Sequence, residues 1–359
     1  MKRIIACLTL ILVFFSSACA DSGVWVEESW SRIDREVDCN GHPLLIHAKV
    51  LEIPDGLEVC QYHLDYLNMD YMAEKAEQID WVALDFDTTL GSWNRKGDTY
   101  SFLPDKGFYP HCHLYSICDL QLANIDNEYI YAAGTTHSVD VDHIEIEGLS
   151  REQIMKKAEE AAAALGIRLG DVFCANKFED TQKIYESVNE IAATHGTVEQ
   201  IAPEEAAGYA FTDVVFPVYI NGMRFFSGQW SCMGMKTDIP NMYFQMVLST
   251  GHGILQIESA LIDPKRLKAI TEPQPVISVE EVLNRIEKSY AEEEWENKKS
   301  ATVQTIALEY APVTNDITSG KGYTVHPAWV ARISEDITVF DEPYTYYTGY
   351  DAVTGELLF

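Results

Sequence analysis

The chain has 359 residues, with 26 Lys and Arg against 56 Asp and Glu, a formal charge of -30 at pH 7 and 47% apolar residues. That length supports two or three domains with sizeable cores, and the charge disfavours nucleic acid and anionic membrane surfaces as direct partners, because both would repel it. Cations and basic peptides are not excluded, although most of the acidity is expected to be a solvated surface.

Lys2 and Arg3 precede an apolar run from Ile4 to Phe15, the length of a signal-peptide core and too short to span a bilayer. Ser16-Ser17-Ala18-Cys19 follows and resembles the lipobox of bacterial lipoproteins, with Ser16 in place of the usual Leu. The resemblance implies that residues 1–18 are removed, that the Cys19 thiol is diacylated and that the protein is anchored to the outer face of the cell membrane. The alternative is ordinary cleavage near Ala18 or Ala20, with Cys19 incidental.

Asp21 to Trp30 is expected as a tether or a first strand. Leu44 to Leu51 reads as a strand flanked by the turn pairs Asn40-Gly41 and Asp55-Gly56, which predicts a hairpin. Leu57 to Tyr66 is expected as a further strand, and Asn68 as the cap of a short helix through Met72, Ala76 and Ile79. Residues 81–147 alternate strand-like runs with Gly and Asp clusters and lack the regular strand–helix alternation of a parallel sheet. Ser150 with Gln153, and Ser278 with Glu281, are capping boxes. The first opens a helix ending at Gly166, and the second a helix whose stripe is Val282, Leu283, Ile286 and Tyr290, with Glu287 on its wet face. Residues 171–202 read as a strand and then a helical stretch. Val214 to Trp230, turning at Asn221-Gly222, and Met242 to Leu261, turning at Gly251-His252-Gly253, read as hairpins. Thr271 to Pro275 is the linker candidate. After it, Val303–Tyr310, Tyr323–Ile333 and Tyr344–Tyr350 read as strands, and Thr354-Gly355 turns into a last short one.

Trp81-Val82-Ala83-Leu84-Asp85-Phe86-Asp87-Thr88-Thr89-Leu90 is similar to the opening motif of haloacid-dehalogenase phosphatases. That resemblance implies Asp85 as nucleophile and Asp87 as general acid and base, with Mg2+, but only if the strand leading to Asp85 begins a parallel sheet. The competing expectation, which we favour, is a strand entering a turn. His111 and His113 share one face of a strand and are weak metal candidates, with Cys112 directed away. The six cysteines beyond Cys19 are an even number, and order and spacing suggest the pairs Cys39–Cys60, Cys112–Cys118 and Cys174–Cys232, with buried free thiols as the alternative. G-x-S-x-G, S-x-x-K, H-E-x-x-H and P-loop motifs are absent from the sequence, so no cofactor is expected apart from the Mg2+ of the phosphatase alternative.

The two capped helices, each followed by strands, suggest a weak internal duplication; the bland alternative is that any two amphipathic helices feeding antiparallel strands look this similar. With the export signal, the Pro327-Ala328-Trp329 run and the ending Asp351-Ala352-Val353-Thr354-Gly355-Glu356-Leu357-Leu358, the chain resembles exported Firmicutes proteins that carry PepSY-like or YycI-like repeats, especially the uncharacterised lipoproteins of gut clostridia. The resemblance implies an α+β fold of antiparallel sheets with helices packed on one face. It divides the chain into a leader (1–18), a strand-rich N-terminal region (19–147) and two PepSY-like units (148–272 and 273–359). It also implies a binding or regulatory role at the cell envelope, with a protein or peptide partner and no catalytic residues, while the charge leaves no nucleic acid expected as a partner.

Overall fold

The computed structural model describes residues 28–64, 69–96, 99–105, 110–115, 137–138, 144–195, 200–227, 242–292, 295, 297–313, 323–338 and 343–359. The leader and Cys19 lie outside them, as do Asn68, Cys118 and Cys232. In chain order the strands and α-helices are β1 (Trp30–Cys39), β2 (His42–Leu51), β3 (Glu58–Val59), β4 (Tyr62–Leu64), α1 (Met69–Gln78), β5 (Gly91–Lys96), β6 (Thr99–Pro104), β7 (His111–Tyr115), β8 (His137–Ser138), α2 (Arg151–Leu165), β9 (Arg168–Leu169), β10 (Cys174–Phe178) and α3 (Thr181–His195). They continue as β11 (Phe211–Ile220), β12 (Met223–Arg224), β13 (Tyr243–Ser249), β14 (Gly253–Ala260), β15 (Leu267–Ala269), β16 (Gln274–Pro275), α4 (Val279–Glu292), β17 (Lys298–Val313), β18 (Tyr323–Ile337) and β19 (Tyr344–Asp351).

These strands form two large sheets. The ten-stranded sheet has the order β5-β6-β7-β14-β13-β11-β10-β8, with β9 and β12 also on β11; the seven-stranded sheet has the order β1-β2-β17-β18-β4-β15, with β19 on β18. Among the described strands, pairing is antiparallel except between β7 and β14 and between β2 and β17. Both exceptions join segments far apart in sequence, where the long connection a parallel pair needs is available. The fold is therefore mixed helix and strand, with antiparallel pairing dominant.

Local chemistry accounts for the hairpins. Asn40 and Gly41 (φ 57° and 87°), like Asn221 and Gly222 (φ 52° and 77°), hold positive φ at both central positions, as a type I′ turn demands. Sheet membership, by contrast, does not follow chain order. The first hairpin and β4 complete the sheet of the C-terminal strands, while β5 to β7 join the sheet of the middle segment. Residues 274–275, inside the expected linker, pair with β3. The expected strand from Leu57 to Tyr66 divides into β3 and β4.

Both capping boxes form. The Gln153 amide donates to Ser150 Oγ (3.4 Å) and the Ser150 amide to Gln153 Oε1 (2.8 Å); Ser278 and Glu281 exchange the equivalent bonds at 3.2 and 3.0 Å. Gly166, at φ 76°, closes α2 in the left-handed conformation. α4 buries Val282, Leu283, Ile286 and Tyr290 against Val303, Ile306 and Leu308 of β17 and Trp329, Ala331 and Ile333 of β18. α2 buries Ile154, Ala158, Ala161 and Leu165 against strands that include Val214, Phe216 and Met246. Helices do not keep to one face throughout, however: α3 packs Ile184 and Val188 on Phe211 and Val247, whose side chains alternate to the opposite face of the ten-stranded sheet from Val214 and Met246.

The motif ending the chain is a staple. Asp351 Oδ1 accepts the amides of Val353 and Thr354, both at 2.9 Å, and Gly355 takes φ 73°. The Ala352 amide donates to the Pro327 carbonyl, the Ile277 amide to the Ala352 carbonyl, and Trp329 Nε1 to the Ile277 carbonyl. One loop thus ties the end of β19 to β18 and to the start of α4. The last strand expected beyond it reduces to a single bridge, Tyr350 to Leu357.

Candidate functional site

The acid pair of the phosphatase motif has no parallel sheet beneath it. Residues 81–85 are successive turns, closed by the Leu84 amide on the Trp81 carbonyl and the Asp85 amide on the Val82 carbonyl, both at 3.1 Å. Asp85 sits at φ 58° with its carboxylate on Lys157 Nζ, and Asp87 caps a 3-10 turn, its Oδ1 2.9 Å from the Thr89 amide. The next strand, β5, pairs antiparallel with β6. The strand expected over 81–84 is thus absent, because Trp81 and Phe86 turn inward to pack on each other (ring centroids 5.1 Å) and bend the chain between them.

His111 and His113 do converge, with ring centroids 5.8 Å apart and Cys112 buried on the other side of β7. Burial and the neighbouring His113 hold the His111 imidazole down at about 3, and hence neutral at pH 7. Among the described residues no group of three or more His, Cys, Asp or Glu is placed to hold a metal. Cys39, Cys112 and Cys174 carry free thiols, and Cys118 and Cys232, the partners expected for the last two, lie outside the described residues. The three free thiols serve as small apolar groups, and burial pushes the Cys174 thiol up to about 12.

His113 belongs instead to a polar row inside the ten-stranded sheet. Ser101, His113, Glu258 and Gln245 stand opposite one another across β6, β7, β14 and β13. Tyr243 and Gln256 donate to the Glu258 carboxylate at 2.9 and 2.6 Å. Gln245 and Asn176 donate to Asp213 at 2.9 and 3.1 Å. Burial nevertheless raises the Asp213 carboxyl to about 7, the two amide donors opposing and Glu258 adding to the rise.

The cavity that combines size with unlike walls lies between the sheets. It measures about 1340 Å³ and is lined by β1, β2, β17, β18 and β19 on one side and by α2, β9 and residues 170–173 on the other. At its floor Arg224, buried, is paired with Glu28 and with Glu309 (3.0 Å), and the Tyr219 hydroxyl donates to Glu28 at 2.8 Å. Burial works against the Arg224 charge, but the two carboxylates outweigh it and keep the guanidinium protonated. Gly170 makes room for this cluster, since a Cβ there would stand 2.5 Å from Glu28 Oε1 and 2.7 Å from Arg224 Nη1. The lining carries Arg32, Lys49, Arg151, Arg168, Arg224 and Arg332 against Glu28, Glu159, Asp171 and Glu309. A cavity with more cations than anions, in a chain with 26 basic and 56 acidic residues, is a local reversal of charge suited to an anionic ligand.

None of these cations stands out in the sequence, because they are scattered from residue 32 to residue 332 and only the fold assembles them. No family model and no curated protein matches the chain. Among solved structures, a crystal structure at 1.45 Å resolution of an uncharacterised protein from Eubacterium rectale ATCC 33656 is similar, with a TM-score of 0.56 and 15% identity over 90% of this chain and 92% of that one. At that identity the likeness is one of fold.

Proposed function

We propose that the protein is exported, anchored through Cys19 to the outer face of the cell membrane, and acts as a binding or regulatory module at the cell envelope, using the cleft between its two sheets. The cleft is the observation that carries the binding role: its walls differ in chemistry, and its charge is opposite to that of the molecule around it. The leader sequence and Ser16-Ser17-Ala18-Cys19 support the address. The units beginning at Ser150 and Ser278 are read as PepSY-like repeats, supported by their matching capping boxes and by helices that each lay an apolar stripe on antiparallel strands. Detergent-phase partitioning tests the anchor. The unaltered protein should enter the detergent phase and Cys19→Ala the aqueous phase, and an unaltered protein found in the aqueous phase overturns it.

A further inference from the structure

Strand register brings together in the cleft a set of side chains that are distant in sequence. Arg32 stands opposite Lys49, Lys49 opposite Thr305, Thr305 opposite Arg332, and Arg332 opposite Tyr347. All five line the cavity. With neighbouring strands about 4.8 Å apart, the row runs for roughly 19 Å across five strands. Like charges placed directly opposite destabilise a sheet, and Arg32 beside Lys49 is such a pair. Asp34 takes up Arg32 at 2.8 Å, but among the described residues neither Lys49 nor Arg332 has an ion-pair partner, and Arg332 Nε is shut away from solvent with no hydrogen-bond partner. The other face of this sheet is spent on α4, so the row is not part of a core. The wall opposite offers the half-buried Met155, Leu169 and Phe173, set among Arg151, Glu159, Arg168 and Asp171.

We propose that the cleft binds an acidic peptide segment. Its carboxylates lie along Lys49, Thr305 and Arg332, and its apolar side chains rest on the facing wall. A guanidinium presents a planar fork that matches a carboxylate, and the Thr305 and Tyr347 hydroxyls add neutral donors beside it. The volume of about 1340 Å³ exceeds the ~300–1,000 Å³ of small-molecule sites and leaves room for several residues. A phosphate polymer would match the cations but leave the apolar surface of Met155, Leu169 and Phe173 uncovered, which favours the peptide. The proposal deepens the binding-module reading and rests on it for the role of the cleft; the anchor is tested separately by partitioning.

The test is fluorescence anisotropy of a short fluorescein-labelled peptide alternating Glu and Leu, titrated with the full-length protein in detergent. Saturable binding is expected, weakened at least about tenfold by Arg332→Gln and by Lys49→Gln, and unchanged by Lys156→Gln on the exposed side of α2. Circular dichroism checks that each variant is folded, and Lys49, at the exposed rim, keeps the test open should Arg332→Gln misfold. Absence of saturable binding overturns the proposal. So does equal binding by folded Arg332→Gln and Lys49→Gln variants, or equal affinity for a peptide alternating Lys and Leu. Full displacement by tripolyphosphate at the concentration of the peptide would assign the row to phosphate instead and overturn the peptide.

Discussion

Two polar rows cross this molecule, one in each large sheet, and what covers them differs. Ser101, His113, Glu258 and Gln245 belong to a sheet with helices on both faces, and Glu258 is bonded there to Tyr243 and Gln256. Arg32, Lys49, Thr305, Arg332 and Tyr347 belong to a sheet that spends one face on α4 and turns the other to a cleft. A polar group inside a closed layer is held by its hydrogen bonds and acts on stability; the same kind of row beside open volume remains available to a ligand. Identity of residue type therefore says less about role than the layer next to it.

The comparison breaks most severely at the cleft floor, where an open region contains a closed ion cluster. Arg224→Ala leaves Glu28 and Glu309 buried without their cation and should cost about 3–5 kcal/mol in denaturant unfolding. A cost under about 1 kcal/mol would mean that water reaches the cluster. Next come the helices covering the two sheets. Ile286→Ala and Ile154→Ala, each fully buried, should cost roughly 2–5 kcal/mol, and similar values would support treating the units as equivalent. Of similar size over its whole window is the pH response of Asp213, which accepts from Gln245 of the closed row. Asp213 titrates near 7 in the folded protein and near 3.8 unfolded, so between about pH 4 and 7 the native state holds a proton that the unfolded chain has lost. Its contribution to stability falls as pH rises through that window, by at most about 1.4 kcal/mol per pH unit, and is level above it. Asp213→Asn should flatten that slope in unfolding curves taken from pH 4 to 8. The least effect belongs to the open row: Lys49→Gln, at an exposed position, should change stability by no more than about 0.5 kcal/mol, so any loss of peptide binding in that variant is a loss of recognition.

Features set by neighbouring residues were legible in the sequence. Asn40-Gly41, Asn221-Gly222, both capping boxes and both helix stripes depend on residues a few positions apart, and all formed as expected. Glu287 shows the limit of that reading. It has the spacing of a solvent-facing residue on α4, yet β1 lies over it and Arg35 binds it at 2.5 Å. Asp85 shows another, since an apolar run ending in Asp was compatible with a strand until the packing of Trp81 on Phe86 bent it into turns. The ending Asp351-Ala352-Val353-Thr354-Gly355-Glu356 was recognisable as a motif, but its use as a staple depends on Pro327 and Ile277, which it meets only in the fold. The cleft was illegible for the same reason in stronger form. Its cations lie on five separate strands and at the start of α2, far apart in sequence, and charge alone does not distinguish a wall from a wet face.

The parallel seam between β2 and β17 has a consequence for the order of events in synthesis. Leu44 to Ile46 must find Ala301 to Val303, so a hairpin made among the first strands waits for nearly the last part of the chain before its inner edge is covered. Until then β2 presents unpaired amides and carbonyls along an apolar strand, a template for wrong partners. A nascent or truncated chain ending before Lys298 should be cut rapidly within residues 30–51 in pulse proteolysis, while the full-length protein resists there. The vulnerability of this protein is thus a matter of timing: its amino-terminal strands are made early and secured late.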